Sequence, residues 1–510
     1  MRISILSPNL SGCVSILDCG VTYLATFVNQ RTEHSATIWD YTFRTRDWQN
    51  YTREKFKQDK PDVIGITYTT LYQPYVLEAI REIRTNLSAD IPIVMGGYHP
   101  TLRPREALSI EGVDAVVIGE GEFVIKEYLD RLNHGKTLEG IPGLCYKNKD
   151  GQMFENERTG WITDLVDLPF PDYDLWDELD TYFYFLGQLW LIGSRGCPYK
   201  CTNCEELYIT SAVPGRRYRT RDPENYVEEI KYHWDKYKDR GFRMAHPFDP
   251  VFPINRKWTK TFCDAYKSSG LSEELPFSIF SRGDTFYLRK EGDKARDSFD
   301  EERIGWLAEA GCKEIRIGIE SGTERMRNEV HFKKVSNKQL IETFGMCRKY
   351  KINTIAYNMI GGPTETTNEM WETFKFNLKV KPDKPIFFIY QLLAHEVQES
   401  TPGQISNEKK DTLLYNPNSA DPYRNSMDTA TIQFGEPIDS ETFSKKWVVW
   451  FQLFCYAYFV GKRVIKLFLH QPIMFFPSLI SYMYRGYKRG ANMKIVFAYF
   501  LGSARKNLFL

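Results

Sequence analysis

The chain has 510 residues, 42% hydrophobic and 26% charged, with 67 Lys/Arg against 66 Asp/Glu for a net charge of +1. That length holds two or three domains with full cores, and so even a balance gives no electrostatic basis for nucleic acid as a partner. Ten cysteines behind an N-terminus without a leader pattern predict a reducing, cytoplasmic setting rather than a disulfide scaffold.

Residues 1–133 alternate strand-like and helix-like patterns, as a doubly wound, flavodoxin-like α/β module does. Short apolar runs at Ile3–Leu6, Ala36–Trp39, Val63–Thr67, Ile93–Met95 and Ala115–Ile118 predict parallel strands. Helical stretches near Val21–Gln30, Trp48–Gln58, Tyr75–Asn86 and Phe123–Leu132 lie between them. In such a sheet the ligand crevice forms at the carboxyl ends of the strands. The loops there carry Pro8 and Asn9, Thr67 and Thr69, Gly96, Gly97, His99 and Thr101, then Gly119, Glu120 and Gly121. Glycines let backbone approach a bulky ligand, and hydroxyls can meet its amides.

Residues 134–185 read as a connector. A hairpin pairs Leu144-Cys145-Tyr146 with Gln152-Met153-Phe154 across an Asn148–Gly151 turn, and a proline-rich strap follows at Asp167–Tyr173. Across 186–400 six β/α units can be drawn, with strands at Leu189–Gly193, Phe242–Ala245, Phe277–Phe280, Glu314–Ile319, Thr354–Met359 and Ile386–Tyr390. Six units predict a partial barrel with its chemistry at the carboxyl ends of the strands. The loop after the first of them carries Cys197, Cys201 and Cys204 at C-x3-C-x2-C. Three thiolates on one short loop can hold three irons of a cubane cluster and leave the fourth open. Arg282 ends the third strand, Glu320 and Ser321 the fourth, and Gly361-Gly362-Pro363 the fifth.

Residues 401–510 are expected to be largely helical, and 441–510 hold 11 Lys/Arg, one acidic residue and 18 aromatics. Helical stretches near Lys445–Val460, Val464–Leu469 and Met493–Leu501 pair apolar faces with this charge. The pattern fits peripheral contact with the inner face of a membrane, or a helical cap on the barrel. No run is long and uninterrupted enough to span a bilayer. The remaining cysteines lack ligand spacing and are expected to be buried thiols.

The cysteine triplet, followed in order by Gly318-Ile319-Glu320-Ser321-Gly322 and Asn358–Thr366, resembles the radical S-adenosylmethionine (SAM) superfamily. Gly-Gly-x-His-x-Thr and Ile-Gly-Glu-Gly-Glu in the first module, with the hairpin and strap, resemble its cobalamin-dependent group, which includes radical SAM methylases and the anaerobic magnesium-protoporphyrin ester cyclase. The resemblance implies a 4Fe–4S cluster on the three cysteines, with SAM near Glu320, Ser321, Gly361, Gly362 and Arg282. It implies cobalamin over the eleven loop residues named above. Arg282 could equally hold substrate or sit in a surface ion pair, and His99 could touch the corrin edge or pack in its loop. The usual Asp-x-His-x-x-Gly after the first strand is absent, which argues against a histidine below cobalt. The implied activity is methylation of an unactivated carbon in a lipid or secondary metabolite, through a 5′-deoxyadenosyl radical and methylcobalamin. A non-methylating cyclase or ring-rearranging enzyme is the alternative, and a catalytically silent corrinoid- or cluster-binding protein the second. The implied partners are a small-molecule or lipid substrate and an electron donor such as flavodoxin or ferredoxin.

Overall fold

The computed structural model describes residues 1–10, 14, 17–158, 160–252, 255–288, 298–390, 440–470, 480, 483 and 484. Seventeen strands fall in chain order among them. The first seven are β1 (Arg2–Ser7), β2 (Ser35–Asp40), β3 (Val63–Thr67), β4 (Ile93–Gly96), β5 (Ala115–Val117), β6 (Leu144–Lys147) and β7 (Met153–Glu155). They form one sheet in the order β2-β1-β3-β4-β5-β6-β7. β1 to β5 pair in parallel, while β6 and β7 add antiparallel. The order reverses between β1 and β3, which opens a crevice at their carboxyl ends. The interior strands are almost wholly buried, as helices on both faces require. The hairpin expected in the connector extends this first sheet.

The second sheet is all parallel and runs in chain order: β8 (Gln188–Leu191), β11 (Met244–Pro247), β12 (Phe277–Ser281), β15 (Cys312–Glu320), β16 (Asn353–Ile360) and β17 (Lys384–Ile389). Two small antiparallel pairs sit in its loops, β9 (Ser194–Arg195) with β10 (Arg219–Thr220) and β13 (Tyr287–Leu288) with β14 (Ser298–Phe299). Sequence chemistry starts its helices sharply. Asp222 caps Pro223–Tyr237, and capping boxes Ser336/Gln339 and Thr366/Glu369 open Asn337–Lys349 and Thr367–Val380. Three predicted strands are displaced: Leu189–Gly193 and Ile386–Tyr390 each move one or two residues toward the N-terminus, and Phe242–Ala245 moves two the other way to become Met244–Pro247. Phe242 instead packs in the joint, its ring 6.0 Å from that of Phe183.

That joint is the connector, which is packed rather than loose. Trp176 donates from Nε1 to Thr22 Oγ1 at 2.9 Å, and the Tyr182 hydroxyl donates to Asp40 Oδ2 at 2.8 Å. Tyr173, Leu179 and Phe183 join the cores of both sheets into one apolar cluster. At the far edge, the helix Lys445–His470 runs through Gly461, where the sequence predicts a break. Its inner face lays Val448, Phe451 and Cys455 on Phe374, Phe387 and Ile389. Gln452 Nε2 and the Tyr456 hydroxyl both donate to Phe387 O, at 2.8 and 3.1 Å, so the helix covers the edge strand β17. The predicted helix Met493–Leu501 and Cys13 lie outside the described residues. Among those residues no helix is long and apolar enough to cross a membrane.

Candidate active site

The cysteine loop leaves β8 through β9 and folds over the mouth of the second sheet. Gly196 makes that fold: its φ is +79°, and a Cβ there would lie 1.8 Å from Arg217 O. Only glycine fits such a turn. Thr202 N donates to His331 O at 3.1 Å and its Oγ1 to Val330 O at 2.8 Å, pinning the loop to the turn after β15. Asn203 Nδ2 reaches Met359 Sδ on β16 at 3.5 Å.

Cys197, Cys201 and Cys204 are half-buried, whereas the other described cysteines are buried. Among the described residues no three His, Cys, Asp or Glu converge closely enough to hold a single ion. A cubane asks for something different, because each of its irons takes its own thiolate. Burial pushes the Cys197 thiol up to about 11 and Cys204 to about 12, so metal loading must expel protons from both. Half-exposed thiols on a pinned loop, beside a permanent cation at Cys201, fit the cluster.

The strand ends meet at this loop. Arg282 sends Nη1 to within 3.2 Å of Cys201 Sγ. Glu320 closes β15 after a register irregularity, with φ +63° and its carboxylate 2.5 Å from Lys333 Nζ. A non-glycine residue in the left-handed region is uncommon and marks a strand end held by its surroundings. Ser321 is buried, with Oγ 3.2 Å from Thr373 Oγ1. The amides of Gly361 and Gly362 donate to Glu365 Oε2 at 2.7 and 3.0 Å, and Val448 and Phe443 lie against Gly361. Arg282 and Met359 thus touch the cysteine loop, and Glu320 is linked to it through Lys333 and Arg282. Gly361 and Gly362 lie beneath the C-terminal helix.

The rim of the first sheet divides the eleven corrinoid candidates. Asn9 donates to Thr42 Oγ1 at 3.1 Å, Thr67 to Asp18 Oδ2 at 3.3 Å, and Thr101 Oγ1 accepts from Gly119 N at 3.0 Å. His99 is 1% exposed, stacks on Tyr68, and sits 3.0 Å from Thr70 Oγ1 through Nδ1. It therefore packs in its loop. Pro8 is buried; a Cβ on Gly119 would meet Trp161 and Val213, and one on Gly121 would meet Leu24. Thr69, Gly96 and Gly97 stay on the open rim. Gly97, at φ +106°, crosses so close to Tyr68 that a Cβ would lie 3.0 Å from its carbonyl, while one on Gly96 would meet only Val117 at 3.9 Å. Bare backbone at the centre of a strand-end rim fits a large flat ligand such as a corrinoid.

Glu120 turns away from that rim. Its carboxylate binds Arg195 Nη1 at 3.1 Å and Arg219 Nη1 at 2.9 Å, and accepts from Ile162 N at 2.7 Å. Burial alone would raise it, but the two guanidiniums outweigh burial and hold it below the usual carboxylate range. Nearby, the Tyr98 hydroxyl donates to Glu206 Oε1 at 3.0 Å. That contact ties the Gly96-Gly97 loop to the residue two past Cys204. Glu205 beside it is pushed up to about 7 by burial and by Glu206. Sequence reasoning missed Tyr98, Glu206, Lys333, Arg195 and Arg219, since their partners stand 13 to 108 positions away at spacings that no local pattern reports.

A model of the Radical SAM superfamily matches residues 191–376, and one of the B12 binding domain matches residues 15–129. An uncharacterized methyltransferase from Pyrococcus horikoshii is 30% identical over 375 residues, 72% of this chain and 75% of that protein. The anaerobic magnesium-protoporphyrin IX monomethyl ester cyclase of Rubrivivax gelatinosus is 27% identical over 351 residues, 67% of this chain and 58% of its own length. The radical SAM methyltransferase TsrM from Kitasatospora setae, solved with cobalamin and a 4Fe–4S cluster, shares the fold. Its TM-score is 0.63 at 19% identity, over 80% of this chain and 77% of that one.

A corrinoid-type module set before a six-stranded partial barrel with an open cysteine loop defines a two-cofactor radical enzyme. The chain belongs to the cobalamin-dependent radical SAM family.

Proposed function

We propose that this enzyme transfers a methyl group to an unactivated carbon of a lipid or other secondary metabolite. The observation that carries the reading is the Tyr98–Glu206 hydrogen bond, which brings the corrinoid rim and the cluster loop within one side-chain contact of each other. A substrate carbon between them would face both cofactors at once. When bound, the cluster supplies an electron for SAM cleavage and the corrinoid supplies the methyl group.

The chain's own residues hold this arrangement. Cys197, Cys201 and Cys204 would ligate the cluster, and Glu320, held by Lys333, would meet the polar end of SAM. Ser321, Gly361 and Gly362 would back that site rather than donate to it, their polar groups being engaged by Thr373 and Glu365. Thr69, Gly96 and Gly97 would cradle the corrinoid, with the other rim residues shaping the loops beneath. A low-potential carrier such as flavodoxin or ferredoxin would deliver the electron. The helix Lys445–His470 exposes Trp450, Leu453 and Tyr458 in a segment with five basic and no acidic residues. We infer that this face rests on an anionic membrane surface, which suits an apolar substrate.

The test is product analysis. Reconstituted enzyme with SAM, a low-potential reductant and a lipid extract should form S-adenosylhomocysteine together with 5′-deoxyadenosine. 5′-Deoxyadenosine without S-adenosylhomocysteine would sink methyl transfer and favour the cyclase-type reading, which the 27% identity to the Rubrivivax cyclase supports.

A further inference from the structure

Arg282 is spent inside the protein. The side chain is 4% exposed, and its guanidinium lies over the ring of Tyr199, in the cysteine loop, 3.7 Å from the centroid. Nε donates to Asp284 Oδ1 at 2.9 Å, and Nη2 donates to Lys333 O at 2.5 Å and reaches Asp284 Oδ2 at 3.5 Å. Nη1 points at Cys201 Sγ at 3.2 Å. A guanidinium has five N–H donors in a fixed fork and keeps its proton at any working pH. Four of its contacts already go to protein atoms, and the cation faces a sulfur rather than the open mouth. Cys201 is the cysteine that the guanidinium touches; Cys197 feels its charge from further off and accepts from the Tyr199 amide, and Cys204 accepts from the Glu206 amide.

We propose that Arg282 is a positioning residue that fixes Cys201 Sγ and sets the reduction potential of the cluster, with Asp284 moderating its charge. The inference rests on the reading that the three cysteines hold that cluster. Hydrogen bonds to a cluster's sulfurs and the charge around it are the protein's main levers on its potential. One electron enters the cluster on reduction and no bond breaks, so the reduced form is one unit more negative. A fixed cation beside a ligand sulfur favours that form, and its loss makes reduction harder. Asp284 works the other way, since its carboxylate offsets the guanidinium. Arg282 therefore acts through Cys201 and leaves the SAM carboxylate to other groups.

The test is a redox titration of the full-length reconstituted protein, followed by electron paramagnetic resonance with dithionite as the reductant, together with iron content and SAM binding. Arg282→Gln should move the reduction equilibrium at least tenfold toward the oxidised cluster, ~59 mV for a one-electron couple. Arg282→Lys should recover part of that shift, and Asp284→Asn should move the potential in the opposite direction. An unchanged potential in Arg282→Gln, with SAM binding weakened tenfold, would overturn the proposal and return Arg282 to the SAM site. If Arg282→Gln fails to retain iron, Asp284→Asn decides: an upward shift supports the proposal and no shift overturns it. A wild-type protein that does not load iron overturns the cluster reading itself, and this inference with it.

Discussion

At the scale of single residues, the three cysteines stand out in the sequence because their spacing, with the motifs that follow them, points to cluster chemistry. A thiolate triplet on one loop is rare unless it binds metal, whatever the surroundings. Replacing Cys197, Cys201 or Cys204 by Ala should therefore abolish cluster assembly, read as iron per chain and loss of visible absorbance. Cys145→Ala and Cys347→Ala, at buried positions outside the loop, should keep the iron. A normal cluster in Cys204→Ala would contradict the assignment. The role of Arg282 was not readable, because its position after β12 reports nothing about the sulfur it meets from 81 positions away. His99 was half-readable: its loop was recognised, but the stack on Tyr68 depends on how that loop folds.

Glu365 carries a consequence for pH. It is buried beneath the Gly361-Gly362 turn, with Oε1 unpaired among the described residues, and burial pushes its carboxyl from 4.5 up to about 8. Between those values the folded state holds a proton that the unfolded state has released. Stability from this group is thus complete below about pH 4.5 and is lost as pH rises toward 8. The slope is at most about 1.4 kcal/mol per pH unit. Glu365→Gln should flatten the decline in Tm between pH 5 and 8, and an unchanged decline would show that the carboxyl ionises normally.

At the scale of elements, legibility followed burial. A strand covered on both faces must be a continuous apolar run, which is why β3 matched its expected span and β1, β2, β4 and β5 lay within a residue at either end. The second barrel strand shifted because Phe242 had two apolar destinations, the strand and the joint, and sequence pattern does not choose between them. The C-terminal helix ran through Gly461 for an energetic reason. One glycine costs only about 1 kcal/mol, too little to break 26 residues anchored on an edge strand. Its exposed Trp450 and Leu453 make the membrane inference testable by co-sedimentation with vesicles. Binding to phosphatidylglycerol vesicles should exceed binding to phosphatidylcholine, and Trp450→Glu with Leu453→Glu should reduce it at least tenfold. Equal binding to both lipids, or none, would leave this helix as a cap on β17.

At the scale of the molecule, two modules are held as one body by contacts that no local pattern announces. Tyr23, on the helix Cys19–Arg31, donates to Glu229 Oε1 at 3.0 Å, and Glu229 pairs with Arg221 in the second module. Glu120 and Glu122 clasp Arg195, and Arg219 joins Glu120 over the face of Trp161. The sequence marks the Ile-Gly-Glu-Gly-Glu loop as a candidate corrinoid contact, but both of its glutamates serve the clasp. Removing one member of a buried pair leaves a charge uncompensated and costs ~3–5 kcal/mol. Glu120→Gln should accordingly split thermal unfolding into two transitions while each sheet keeps its secondary structure. A single transition at the wild-type Tm would mean that the clasp contributes little.

A methyl transfer of this kind requires two cofactors on one chain. Iron, acid-labile sulfide and corrinoid should be quantified per chain after anaerobic purification and reconstitution, with the visible spectrum recorded. The prediction is about four irons on the three thiolates and about one corrinoid in a base-off state, since His99 is buried in its loop against Tyr68 and Thr70. About four irons with no corrinoid would contradict the account, reducing the first module to a scaffold and removing the source of the methyl group.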